Sequence, residues 1–62
     1  MSQPDRFIRL NEVETLTGFK HSFIYSQIKN GDFPPPLKFG YASRWSLNAV
    51  QAWMAEKLRE AA

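Results

Sequence analysis

Three consecutive prolines, Pro34-Pro35-Pro36, follow Gly31-Asp32-Phe33 just past the middle of this 62-residue chain. Proline lacks a backbone donor and fixes φ, so this stretch is extended and no helix passes through it. Whatever helices the chain forms lie on either side. Both sides belong to one domain, because a chain of this length buries only about 60% of the surface it exposes when unfolded. The core must come from large side chains, and five Phe, two Trp and two Tyr supply them. Each can bury roughly 150–250 Å². There is no Cys, which rules out disulfides, thiolate zinc sites and thiol nucleophiles.

Before the prolines, two short helices are expected. Asn11 and Glu14 have capping-box spacing, and Glu12 and Glu14 suit the positive end of a helix dipole. Leu10, Val13 and Leu16 give that helix one apolar side, and Gly18 reads as its stop. The second helix runs from Lys20 or His21 to Asn30, ended by Asn30-Gly31. On a helical wheel Ile24 and Ile28 share one half with Phe23 and Gln27. The opposite stripe is Ser22, Tyr25, Ser26 and Lys29, all hydrogen-bonding and none acidic. Phe23 is read as core.

After the prolines, Leu37-Lys38-Phe39 alternates as a half-exposed strand does. Gly40 to Ser43 is expected to turn, and Arg44-Trp45 to begin the returning strand. Ser46 is a good N-cap for a last helix, with Leu47, Val50, Trp53, Met54 and Leu58 on its apolar face. Trp45 and Trp53 are read as core, and Phe33 folds back onto it. The order helix-helix-hairpin-helix makes a mainly α fold with a small β-hairpin, a winged helix-turn-helix. The domain is expected over residues 7–60, with residues 1–6 a flexible N-terminus.

Charge is segregated along the chain. Residues 10–19 carry net −2, whereas residues 20–45 carry net +3 within an overall +2. The positive region coincides with the second helix and the hairpin. Lys20, Lys29, Lys38 and Arg44 therefore read as phosphate contacts, and His21, Ser22, Tyr25 and Ser26 as base contacts, with Tyr41 and Ser43 on the outside or tip of the hairpin. The competing reading of the stripe is an ordinary solvated helix face. For Arg44 it is a surface salt bridge or packing over an aromatic ring. One His without Cys cannot make a metal site of ordinary ligand count. No base-and-nucleophile arrangement, paired carboxylates or phosphate-binding loop is present, so neither an enzyme nor a cofactor is expected.

The run Leu16-Thr17-Gly18, then Ile24-Tyr25, Ile28-Lys29, Gly31-Asp32-Phe33-Pro34, and later Arg44-Trp45 with Val50 and Trp53, resembles the AlpA family of phage and prophage regulators. The resemblance covers about residues 7–55. It implies a fold similar to excisionases and to the DNA-binding domain of MerR-type regulators, with the second helix in the major groove and the wing on the backbone or minor groove. Lys20 stands where the family often has Ser. It has no acceptor to offer, which leaves the helix cap to Ser22 or to water. His21 and Ser26 stand where the family often has Arg, so the fold and general role carry over and the family's sequence preference does not.

The expected function is a sequence-specific regulator of a phage or prophage element that binds double-stranded DNA. An excisionase that bends DNA for an integrase is the nearest alternative, and a protein-interaction module is the alternative of another class. The expected partners are DNA and, beyond it, an integrase or RNA polymerase. A cytoplasmic monomer that cooperates on adjacent DNA sites completes the expectation. No apolar run reaches the ~18 residues of a membrane span, and Met1 to Arg6 lack a signal peptide's apolar segment.

Overall fold

A computed structural model describes residues 4–62. In chain order the described residues form β1 (Phe7–Ile8), α1 (Leu10–Thr17), α2 (His21–Lys29), β2 (Leu37–Phe39), β3 (Ala42–Ser46) and α3 (Leu47–Ala61). The helix-helix-hairpin-helix order is as expected. The addition is β1, which pairs antiparallel with β3 and turns the hairpin into a three-stranded sheet of order β1-β3-β2. Two residues are too few to show the alternation by which a strand is recognised in sequence.

The helix boundaries follow local chemistry. Arg9, not Asn11, is the N-cap of α1, and Asn11 lies inside the helix. The reach-back comes from Glu12, whose carboxylate accepts from the Arg9 backbone N–H at 3.2 Å. Glu12 also pairs with the Arg6 guanidinium at 3.0 Å. The chain leaves β1 at Ile8, so α1 begins two residues earlier than a cap at Asn11 allows. Gly18 ends α1 with φ 78° and donates to the Glu14 carbonyl at 2.8 Å. Ser46 caps α3 by accepting from the Ala49 N–H at 3.1 Å.

Asp5 and Arg6, expected in a flexible leader, are hydrogen-bonded to the body of the fold. Asp5 accepts from the Ser46 hydroxyl at 2.5 Å and from the Asn48 N–H at 3.0 Å. The Arg6 carbonyl accepts from Leu47 N–H at 3.0 Å. Residues 1–3 of that leader lie outside the described residues.

The hairpin closes earlier than expected. Phe39 pairs with Ala42, leaving Gly40-Tyr41 as a two-residue loop, so β3 begins at Ala42 rather than Arg44. Gly40 has φ 63°, and Tyr41 is not in the positive-φ region. That combination suits a type II′ hairpin turn, whose twist matches that of the flanking strands.

Ile8, Val13, Ile24, Phe33, Trp45 and Val50 form the buried core, one or more from nearly every element. Leu10, Ile28, Leu47, Trp53 and Met54 pack around it. Phe33 thus folds back as expected, and Trp45 is central. Its indole N–H donates to the Pro34 carbonyl at 3.1 Å, and Trp53's donates to the Asp32 carbonyl. The two indoles thereby satisfy carbonyls of a loop that has no ladder of its own.

Three apolar side chains expected inside are exposed. Phe23 is 40% exposed and stacks on Phe19 at 4.3 Å between ring centroids, so it is not core. It lies beside the narrow stripe set by Ile24 and Ile28, and so small a core has room for that stripe alone. Leu16 is also at the surface. Leu58 is 72% exposed because α3, about 22 Å long for its 15 residues, runs past the end of the core.

Candidate nucleic-acid interface

The α2 stripe is presented as the sequence implies. Ile24 anchors the buried side and Ile28 and Gln27 are half-buried, while Lys20, His21, Ser22, Tyr25, Ser26 and Lys29 are all exposed. Tyr25 is fixed by more than its helix. Its ring meets Trp45 edge-on at 6.1 Å, which ties the middle of the stripe to β3. Tyr25 nonetheless remains 43% exposed.

The register of the sheet sorts the wing residues. Residues directly opposite in an antiparallel ladder share a face, and neighbours along a strand alternate. Ile8 pairs with Trp45, and both are buried, so that face looks toward the helices. Ser43 lies two residues from Trp45 and pairs with Lys38, so Lys38 and Ser43 continue the same face out toward the hairpin tip. They are joined by a hydrogen bond from Lys38 Nζ to Ser43 Oγ at 2.6 Å. Tyr25 touches Trp45 on this side. The Tyr25–Trp45 contact thus joins the α2 stripe to the sheet face that carries the Lys38–Ser43 pair.

Arg44 is not part of that surface. It pairs with Leu37 on the outer face, where Phe7 and Phe39 also meet edge-to-face at 5.2 Å. Its guanidinium donates to the Ser43 carbonyl at 2.9 Å, which lays it along the strand. Tyr41 stands at the tip with its ring fully exposed. Of the ten sequence-derived positions, the six at or on α2 are exposed, Lys38 and Ser43 share the sheet face of Trp45, Tyr41 is at the end of the wing, and Arg44 is on the opposite face.

Among the described residues Lys20, Lys29 and Arg44 make no ion pair, whereas Arg6, His21 and Lys57 do. The acid beside the stripe is Glu14 of α1, whose carboxylate lies 3.3 Å from His21 Nδ1. The same carboxylate oxygen accepts from the His21 backbone N–H at 2.7 Å. Where Lys20 offers no cap, Glu14 thus holds the first N–H of α2. No sequence rule for caps looks seven residues back into a preceding helix, so this role went unread. No group of three or more metal-ligating side chains is assembled among the described residues. No described helix is long and apolar enough to cross a membrane.

The sequence matches, over residues 6–58, the family described as prophage CP4-57 regulatory protein (AlpA). The chain belongs to the AlpA family. Its resemblance to phage and prophage regulators is thereby established, and the elements described above bear out the mainly α fold with a small sheet. This AlpA-family chain is 40% identical over 55 residues to an uncharacterised protein, ORF88, of Enterobacteria phage P4, covering 87% of this chain and 62% of that one. It is 40% identical over 43 residues to the response regulator inhibitor for tor operon of Escherichia coli K12, covering 69% and 65%. The same identity and coverage relate it to a protein of Shigella phage Sf6 named "probable excisionase". The chain spans a little under two thirds of the length of these curated relatives. No solved structure matches it.

Proposed function

We propose that this AlpA-family protein is a sequence-specific double-stranded DNA-binding regulator of a phage or prophage element. In this reading α2 enters the major groove. His21, Ser22, Tyr25 and Ser26 face base edges, and Lys20 and Lys29 meet the flanking phosphates. The hairpin is the wing, with Lys38 and Ser43 on the adjacent backbone and Tyr41 at the minor groove. The observation that carries the reading is the contact of Tyr25, in the middle of the exposed α2 stripe, with Trp45 on the sheet face that also carries the hydrogen-bonded Lys38–Ser43 pair. Arg44 belongs to the interface only if the wing lies edge-on to the backbone, since it leaves from the opposite face.

The domain acts as a monomer in solution and cooperates on adjacent sites, because a single module of this kind buries only about 600–1,000 Å² on DNA. An integrase or RNA polymerase is the partner next to it. A second reading, an excisionase that bends DNA for an integrase, is favoured by the name of the Sf6 relative. Circular-permutation gels separate the two: a large bend supports the excisionase, a straight complex the plain regulator.

The deciding experiment is fluorescence anisotropy with the duplex flanking the protein's own gene and with a scrambled duplex, at several salt concentrations. The reading expects tight, salt-dependent binding to the first. Absence of binding to either duplex at low salt rejects it and makes a protein partner the leading reading.

A further inference from the structure

The start of α2 is built unusually. Its N-cap, Lys20, is extended and makes no side-chain cap. The first N–H of the helix is instead held from outside, by Glu14 Oε2 at 2.7 Å. That same oxygen lies 3.3 Å from Nδ1 of the His21 ring. Glu14 is well shielded, its side chain 28% exposed, whereas His21 is 67% exposed. One carboxylate on a packed helix thus grips both the backbone and the side chain of the first residue of α2.

A carboxylate can only accept, so the ring nitrogen facing it carries the proton. That fixes the ring's orientation and its tautomer, because the hydrogen bond made by one imidazole nitrogen determines the state of the other. Nε2, on the far edge of the ring, has no hydrogen-bond partner among the described residues and is left to solvent. In the neutral ring it is an acceptor, suited to an exocyclic amine in the major groove. In the charged ring it is a donor, suited to guanine N7 or a phosphate oxygen.

Resting on the DNA-binding reading above, we infer that Glu14 is a positioning residue for recognition: it holds the His21 ring by Nδ1 at the start of α2 so that Nε2 is presented to the DNA. Glu14 itself touches no DNA. Its charge opposes phosphate, so an acid placed here needs a compensating role. Capping α2 and orienting His21 supply one.

Two measurements test this. The chain has one histidine, so its ring nitrogens can be read by ¹⁵N NMR without ambiguity. At alkaline pH the neutral ring should carry its proton on Nδ1 in the wild type and lose that preference in Glu14→Ala. A proton on Nε2 in the wild type overturns the inference. The second measurement is a double-mutant cycle on a duplex enriched from a randomised pool by the wild-type protein, with a scrambled duplex as control, below the melting temperature of every variant. His21→Ala should weaken the enriched duplex about tenfold in the wild-type background, as loss of one good hydrogen bond to a base does. In the Glu14→Ala background it should weaken binding by less than about twofold, and neither substitution should weaken the scrambled duplex. Equal effects of His21→Ala in both backgrounds overturn the inference while leaving DNA binding intact. If Glu14→Ala melts too low to assay, the wild-type ring decides alone: a neutral imidazole protonated on Nδ1 supports the inference and one protonated on Nε2 overturns it. Failure of the wild type to enrich or bind any duplex overturns the DNA-binding reading, and this inference with it.

Discussion

Asp5 shows how much one exposed side chain can organise. Its carboxyl is held below the usual carboxylate range, first by the Asn48 backbone N–H and then by the Ser46 hydroxyl. It therefore acts as a second cap on α3, delivered from the far end of the chain, beside the Ser46 cap anticipated from sequence. Glu12 is lowered likewise, first by the Arg9 N–H and then by the Arg6 guanidinium. A depressed folded-state pKa contributes stability that is present above the ordinary value, 3.8 for Asp and 4.5 for Glu. That stability is lost as pH falls through the folded value. Asp5→Asn and Glu12→Gln should therefore each melt below the wild type near neutral pH. The gap should close as pH falls below the ordinary carboxylate range and both carboxyls protonate. Thermal melts followed by circular dichroism across that range check it; a gap that persists unchanged in acid would mean that the side chains act through packing instead.

Among the elements, the turn between α1 and α2 is the most sharply specified. Gly18 sits at φ 78° with no atom within 4 Å of where a Cβ would stand. Gly18→Ala thus meets no clash and costs the left-handed conformation alone, about 1–2 kcal/mol. Denaturant unfolding should show that loss with the slope unchanged; a near-neutral result would mean that the turn relaxes. This turn was legible in the sequence because its chemistry is local, as were the α2 boundaries, the Ser46 cap and the buried Phe33 and Trp45. What escaped was non-local. β1 exists because Ile8 finds Trp45 across the sheet, and nothing within Phe7–Ile8 announces it. Glu14 caps a helix seven residues on. Phe23 departs from the core position that the wheel predicts, because a wheel gives direction and not depth and Phe19 offers it a surface partner. For the candidate site, spacing showed the α2 stripe, whereas the side of the wing on which Lys38 and Arg44 lie depended on a register that sequence alone left open.

At the scale of the whole molecule, β1 and β2 flank β3, so the sheet joins the start of the chain to the wing. Ile8 is fully buried in a core of six residues, and Ile8→Ala should cost about 2–5 kcal/mol. A domain this small has roughly that much to lose. The variant should be largely unfolded at room temperature by circular dichroism, although Ile8 is remote in sequence from both α2 and the wing. The same architecture bears on DNA. If α2 alone meets the duplex, Lys20 and Lys29 can neutralise about two phosphates, and the log–log salt slope should be about −2. If α2 and the Lys38 face of the wing dock together, the slope should be about −3, and Lys38→Ala should flatten it by about 1. Arg44→Ala then distinguishes how the wing lies. A further flattening by about 1 places the hairpin edge-on with both faces reaching phosphate. An unchanged slope leaves Arg44 on the outer face, beside Phe7, Leu37 and Phe39, and confines the DNA-facing surface to the side where Tyr25 packs on Trp45.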